Sequence, residues 1–378
     1  MRILQIVPYF PPYTGGQERY VYNLSKYLVK MGHEVHVITS NYPKCVEKEV
    51  MDGITVERHR CLARPLRNPI TLGTLRLGKK IKEYDVIHTH NEHCFAAMVA
   101  AYFRKRTNVP LILTCHGQLI FGSKMADCFE RAYSRIIGKG IFNIIDILVV
   151  NSDMDKDYIL SINPNISGKI RVLHNAIDPE YFENITNNAS YSNSENKINC
   201  ITPSDSKTIL FVGRLIKRKG VEWLIKAMNI IVNKLKRDDI LCILVGEGED
   251  YSYFEVLVKQ FDLRDRVLFT DSISNEDLIC MYRNADIFVL PSLSEVCPTV
   301  ALEAMYFGLP VVATDIPGVR DHFKDVALLV SPRNEDEIAA AIVKLLEDEE
   351  FAKRLSTVGE ELVTCEDEEL DYRIIEKG

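Results

Sequence analysis

Short apolar runs alternate along this chain with longer segments whose apolar residues recur at helical spacing. Residues 2–7 form the first run. Residues 17–31 follow, with Tyr20, Val21, Leu24, Tyr27, Leu28 and Met31 on one stripe, and Gly32 ends the pattern. Residues 34–39 alternate as a half-buried strand does. Buried-looking strands are predicted at 86–89, 111–114, 144–150 and 170–173, with helices between them, among them 92–103 and 125–142. This rhythm is the mark of βαβ units and of a parallel sheet covered on both faces.

The rhythm then breaks. Residues 183–206 are dense in Asn and Ser, contain Pro203 and show no periodicity. It restarts with strands at 208–212, 241–245, 267–270, 287–290 and 310–313, and helices at 220–235, 275–283 and 299–307. The expected architecture is α/β: two Rossmann-like doubly wound domains facing a central cleft. The N-terminal domain spans 1–178, an Asn/Ser-rich linker or insertion 179–206, and the C-terminal domain 207–378. Ligands are expected in the cleft between the carboxyl ends of both sheets.

Composition narrows the class. Of 378 residues, 47% are hydrophobic and 26% charged, which excludes a disordered or fibrous chain. The most apolar stretch, 141–150, is broken by Asn143 and Asp146 and falls short of the ~18 residues of a spanning helix. The opening apolar run stops at Pro8, too soon for a signal peptide. Ten scattered cysteines without a Cys-x-x-Cys pair read as reduced thiols, so a cytoplasmic location is expected.

The net charge of −7 is unevenly spread. Residues 1–178 carry 24 basic against 16 acidic side chains, and 179–378 carry 22 against 37. A basic half suits anionic lipid or a phosphorylated substrate. No aromatic-basic motif accompanies the charge, so no nucleic-acid partner is expected. Residues 58–82 mix Arg58, Arg60, Arg64, Arg67, Arg76, Lys79, Lys80 and Lys82 with leucines and fit either an anionic membrane face or a solvated helix.

Three segments combine residue types that chemistry could use. Gly15-Gly16 precedes the first helix, where backbone N–H groups can aim at an anion, or simply start a helix. Gly213 to Gly220 follows the first strand of the second half and carries Arg214 and Lys219. Fixed positive charge at a helix opening is what a pyrophosphate wants. Glu295 and Glu303 flank Cys297-Pro298-Thr299 across a predicted loop and helix, and carboxylates accept vicinal sugar hydroxyls. Gly246-Glu247-Gly248 reads as a helix-opening turn, and Asp153, Asp155 and Asp157 as helix-start acids rather than a metal cluster. His88, His90 and His93 fit a zinc site less well than a loop near the cleft.

Taken in order, these segments resemble the retaining glycosyltransferases of family 4, with the GT-B fold, from the first strand to about Leu355. The resemblance rests on Gly15-Gly16-Gln17-Glu18-Arg19, Thr114-Cys115-His116-Gly117, His174-Asn175-Ala176-Ile177-Asp178, Gly213-Arg214 with Lys219-Gly220, and Glu295 to Glu303 followed by Ala304-Met305, Gly308 and Pro310 to Thr314. It implies transfer of a hexose-type sugar, with retention and without an obligatory metal. The donor is a nucleotide-diphosphate sugar, UDP- or GDP-linked, and no further cofactor is implied.

On that resemblance Arg214 and Lys219 bind the diphosphate, and Glu303 the ribose. Glu295 touches the donor sugar, supported by the backbone of Cys297, Pro298 and Thr299. His116 lies near the reacting sugar, and Gly16 lets the first loop approach the phosphates. The acceptor would be lipid-linked or anionic, at a membrane surface that the chain meets peripherally. Donor sugar, base and oligomeric state stay open. Two departures stand out: Pro298 has no N–H to offer a sugar, and 356–378 is acidic where the family has an aromatic bracing helix. A sugar-nucleotide epimerase of the same fold and an inactive sugar-nucleotide-binding member are the alternatives.

Overall fold

A computed structural model describes residues 1–13, 15–65, 68–117, 134–173, 177, 179–186, 206–295 and 297–364. The chain divides into two compact units, the first over 1–174 and the second over 175–368. The N-terminal unit holds strands β1 (Arg2–Ile6), β2 (Glu34–Ser40), β3 (Lys48–Met51), β4 (Ile54–His59), β5 (Val86–His90), β6 (Leu111–Cys115), β7 (Ile147–Val150) and β8 (Ile170–Val172). Their order is β3-β4-β2-β1-β5-β6-β7-β8, parallel throughout except for the β3–β4 hairpin. Ile3 of β1 sits opposite Val35 on one side and Val86 on the other.

Both faces of this sheet are covered, which is why β5 and β6 are buried along their whole length. On one face Leu4, Ile6, Ile87 and Leu113 pack against Ala97, Ala100 and Phe103 of helix Phe95–Thr107. On the other, Ile3, Val35, Val37 and Ile112 pack against Val21, Leu24 and Leu28 of helix Gly16–Lys30. Each fully buried aliphatic side chain contributes about 1.5–3 kcal/mol.

Several boundaries differ from the sequence reading. β3 and β4 lie where no strand was expected, and Asp52-Gly53 turns between them with φ of 49° and 78°. The strand expected from 144 begins at Ile147, because Ile144 closes helix Lys139–Ile144. Asp146 between them accepts the Leu111 N–H and pairs with Arg104 at 2.7 Å. Residues 125–133 of the expected helix lie outside the described residues.

The C-terminal unit holds β9 (Lys207–Val212), β10 (Ile240–Val245), β11 (Val267–Phe269), β12 (Ile287–Leu290), β13 (Val311–Thr314) and β14 (Leu328–Val330), all parallel, in the order β11-β10-β9-β12-β13-β14. Helices Val221–Asn229, Tyr251–Gln260 and Glu335–Glu347 cover one face. Helices Asn275–Asn284, Thr299–Tyr306 and Pro317–Phe323 cover the other. The stretch read as linker opens with a helix, Pro179–Thr186, whose Phe182 is buried and stacks on Tyr306 with centroids 5.2 Å apart. That helix therefore belongs to the C-terminal unit; residues 187–205 and the acidic tail from 365 lie outside the described residues.

Candidate functional site

In each unit the strand order reverses once, between β1 and β5 and between β9 and β12. In doubly wound sheets, the loops at the carboxyl ends of the strands beside such a reversal are where a ligand crevice is expected. In the C-terminal unit these are the loop after β9, carrying Arg214 to Lys219, and the loop after β12, carrying Pro291 to Glu295. The two are laced by backbone: Leu293 N–H donates to the Arg218 carbonyl, and the Arg218 guanidinium donates to the Ser294 carbonyl, each at 2.8 Å. Gly220 makes this possible. It has φ of +69°, and a Cβ there would sit 1.8 Å from the Pro291 carbonyl oxygen. A third loop presses on the first from behind, where a Cβ on Gly246 would meet the Gly213 oxygen at 2.2 Å. Gly246-Glu247-Gly248 is thus the close-packed support of the cationic loop, beyond the turn that the sequence suggests.

The lacing brings Lys219 and Glu295 together at 2.6 Å, their side chains 16% and 9% exposed. Ser292 Oγ donates to the same Glu295 oxygen, also at 2.6 Å. Arg214 is far more open and reaches Glu249 at 3.5 Å. The two cations assigned to a diphosphate therefore differ: one is held by a largely buried carboxylate, the other pairs loosely with an exposed one. Glu303 is buried in the first turns of helix Thr299–Tyr306 and accepts a hydrogen bond from the Tyr282 hydroxyl at 3.0 Å. Tyr282 is itself fixed by stacking on Phe307 with planes 11° apart. Cys297 and Pro298 are buried, and Pro298 occupies the position before the helix. Its carbonyl accepts from Ala301, but it offers no N–H toward a ligand. The next helical N–H groups, from Thr299 onward, carry the partial positive charge of a helix start.

In the N-terminal unit the reversal lies between β1 and β5, and Asn91 follows β5 in a left-handed conformation with φ of 59°. Its side chain ties the start of helix Gly16–Lys30 to the loop after β6: Nδ2 donates to Gln17 Oε1 at 2.8 Å, and Oδ1 accepts the His116 N–H at 2.9 Å. His116 Nε2 meets His90 Nδ1 at 3.0 Å, and His90 Nε2 meets Gln5 Oε1 at 3.1 Å. Tyr20 stands edge-on to the His116 ring at 4.8 Å. Burial pushes His116 down to about 4 and His88 to about 3, and His90 well below the usual histidine range. These rings are neutral near pH 7, so His116 offers a hydrogen-bonding imidazole rather than a cation. Gly16 opens helix Gly16–Lys30 with no atom within 4 Å of where a Cβ would lie. A Cβ on Gly15 would instead strike the buried Glu18 carboxylate at 2.2 Å.

Other signals resolve into structure. Ser152 Oγ accepts the Asp155 N–H at 3.1 Å and caps helix Asp153–Ile162, whose first turn carries Asp153 and Asp155. His88 engages Thr114 Oγ1 at 2.8 Å, while His93 lies 3.9 Å from the buried Glu92 carboxylate. Among the described residues no three His, Cys, Asp or Glu side chains gather as a metal site. Most of the segment 174–178 lies outside the described residues. Asn91, Gln5, Ser292 and Tyr282 escaped the sequence reading, since none stands in a spaced motif; Asn91 alone left a trace, Asn being tolerant of left-handed backbone.

Comparison with known proteins bears on these two crevices. Residues 14–181 match the model of glycosyltransferase family 4, and residues 193–362 that of the group 1 glycosyl transferases. The D-inositol 3-phosphate glycosyltransferase of Paenarthrobacter aurescens is 26% identical over 89% of this chain and 85% of its own length. Among solved structures, sucrose-phosphate synthase from Thermosynechococcus elongatus superposes with a TM-score of 0.76 at 26% identity, over 96% of this chain and 94% of its own. An uncharacterized glycosyltransferase of Methanocaldococcus jannaschii is 31% identical over 92% of this chain and 90% of the relative. With that identity along nearly the whole of both proteins and two glycosyltransferase models end to end on the sequence, this chain belongs to the family 4 glycosyltransferases.

Proposed function

We propose that this glycosyltransferase moves a hexose-type sugar from a UDP- or GDP-linked donor to an acceptor hydroxyl, with retention of configuration and without an obligatory metal. The observation that carries the proposal is the meeting of the Gly213–Gly220 and Pro291–Glu295 loops at the reversal point of the C-terminal sheet, with Lys219 fixed on Glu295. A nucleoside diphosphate at that crevice takes Lys219 over from Glu295 and draws in the open Arg214. Charge on the departing diphosphate is then met by two cations and by N–H groups at the start of helix Thr299–Tyr306. Glu303, held by Tyr282, accepts from the ribose hydroxyls. Glu295, released from Lys219, turns its carboxylate to the donor sugar, with the backbone of Cys297 and Thr299 beside it. His116 serves the transferred sugar as a neutral imidazole.

The acceptor side of the reading places the enzyme peripherally at an anionic membrane. On the 3-10 helix Leu72–Glu83, Thr74, Leu77 and Ile81 are buried, while Leu72 and Leu75 are exposed beside Arg76, Lys80 and Lys82. Exposed leucines among cations are the composition of an interfacial helix. Among the described residues no helix is long and apolar enough to cross a membrane. A panel of sugar nucleotides, assayed for nucleotide release with and without acceptor and in EDTA, tests the proposal. Transfer with retained anomeric configuration supports it. Epimerised sugar nucleotide, or binding without turnover on any donor, would replace it with one of the two alternatives.

A further inference from the structure

Gln5, His88, His90 and Thr114 form a polar row inside the N-terminal sheet. Alternation along the strands places them on the face that helix Gly16–Lys30 covers. Ile3, Val86 and Ile112, each two positions before a member of the row on β1, β5 and β6, belong to the apolar core of that face. Gln5, His90 and Thr114 are fully buried, and His88 nearly so.

Polar side chains in such a place cost stability unless they are hydrogen-bonded. Gln5 is only partly satisfied: among the described residues its Nε2 is buried without a partner. An aliphatic side chain would fill that position without this loss. What Gln5 supplies there is its Oε1, which stands 3.1 Å from His90 Nε2.

The proton positions follow outward from that oxygen. An amide oxygen only accepts, so His90 Nε2 carries a proton. Burial and the neighbouring histidines keep His90 and His116 neutral, and a neutral imidazole has one N–H and one bare nitrogen. His90 Nδ1 is therefore bare and accepts from His116 Nε2, 3.0 Å away. His116 Nδ1 is then bare as well, and with Nε2 engaged it is the ring nitrogen left for a ligand.

The rings are held for this arrangement. His90 and His116 lie with planes 16° apart and centroids 5.2 Å apart, and Tyr20 stands edge-on to them at 6.0 Å and 4.8 Å. Asn91 Oδ1 fixes the backbone of His116 by accepting its N–H. Gln5 also closes the row. A carboxylate in its place could stabilise a proton taken up by His116 and His90, whereas an amide brings no charge to balance it. The row fixes a tautomer and is no path for protons.

We infer that Gln5 and His90 are positioning residues that hold His116 as its Nε2–H tautomer, so that the bare Nδ1 accepts a hydrogen bond from a hydroxyl of the transferred sugar. The inference rests on the transferase reading, which gives His116 to that sugar, and adds the direction of the contact and the two residues that set it.

The full chain is labelled with nitrogen-15 histidine, and multiple-bond proton–nitrogen NMR near pH 7 separates protonated from bare ring nitrogens. His116→Ala and His90→Leu assign the two rings by loss of signal. In the unmodified protein His116 should show a protonated Nε2 and a bare Nδ1. Gln5→Met removes the oxygen. A buried N–H without an acceptor is rarer than a buried acceptor without a donor, so the His90 proton should move to Nδ1 and the His116 proton from Nε2 to Nδ1. His90→Leu should move the His116 proton in the same way. Turnover is read as nucleotide release from UDP-glucose, UDP-N-acetylglucosamine and GDP-mannose. On any donor the unmodified chain uses, kcat should fall about tenfold or more in both variants, while UDP affinity stays within about twofold. A role confined to packing would not move the ring protons. A His116 whose Nδ1 is protonated in the unmodified protein overturns the inference, with no variant needed. So do ring protons that either folded variant leaves in place, or a changed tautomer with unchanged kcat. Turnover of no donor by the unmodified chain would instead defeat the transferase reading, leaving the tautomer to be judged on the ring-nitrogen signals.

Discussion

Replacing Glu295 by Gln should make the protein bind free UDP or GDP more tightly while slowing transfer. In the ligand-free protein Lys219 is neutralised by Glu295 at 2.6 Å, with the two side chains 16% and 9% exposed. At that separation the gross attraction is about 6 kcal/mol at an effective dielectric of about 20. Desolvation offsets most of it, leaving the roughly 1.5–3 kcal/mol net typical of a hydrogen bond between charged groups. A diphosphate that takes Lys219 must first give up this contact. Gln keeps the shape, and its amide oxygen still accepts from Lys219 and from Ser292, so about half of the contact is lost. The release is about 0.8–1.5 kcal/mol, equivalent to roughly fourfold to thirteenfold tighter nucleotide binding. Calorimetric titration of both proteins with UDP and GDP at one ionic strength reads it directly. On the proposed role of Glu295, a carboxylate placed where positive charge grows in the transition state, transfer should fall. Equal or weaker nucleotide affinity in Glu295→Gln would refute the exchange of partners.

The other carboxylate should behave differently: Glu303→Gln should raise the donor KM more than it lowers kcat, and Tyr282→Phe should do the same more mildly, as steady-state kinetics on the true donor would show. His116→Ala should keep nucleotide affinity within about twofold and lose transfer; an unchanged rate would remove His116 from the chemistry. Gly220→Ala should destabilise the C-terminal unit by more than about 2 kcal/mol in urea unfolding, since its Cβ would lie 1.8 Å from backbone, and a wild-type midpoint would contradict the loop packing. Stability should fall as pH drops from about 6.5 toward about 4. The buried His88 and His116 are held neutral in the fold, to about 3 and about 4, while the unfolded chain takes up their protons near 6.5. The loss is about 1.4 kcal/mol per pH unit for each such histidine, so His88→Gln should flatten the urea midpoint against pH, and an unaltered slope would show that burial does not hold that ring neutral.

The βαβ rhythm was readable because strands buried on both faces are written as runs of Val, Ile and Leu, as in Ile240–Val245 and Ile147–Val150. Where burial is partial the signal fades. Lys48–Met51 and Ile54–His59 alternate with charges and form an edge hairpin, although Asp52-Gly53 between them is a turn signal. Leu328–Val330 is simply too short to stand out. The site was legible where backbone demands a residue type. Gly220 must be glycine and stands beside Lys219, so the cationic loop left a motif. The partners that hold its side chains left none. Ser292 on Glu295, Tyr282 on Glu303 and Gln5 behind His90 meet their targets through tertiary packing between residues separated by 3 to 85 positions, a juxtaposition that local spacing does not encode.

The central claim is that a nucleoside diphosphate binds at the reversal point of the C-terminal sheet, on Lys219, without a divalent metal. Titrating UDP and GDP into the unmodified protein and into Lys219→Met, each in EDTA and in magnesium, tests it most directly. At least one nucleotide should bind the unmodified protein with affinities in the two buffers that agree within about tenfold, or ~1.4 kcal/mol, and should bind Lys219→Met more than about tenfold more weakly. Binding that collapses in EDTA, or that Lys219→Met leaves intact, would contradict the account.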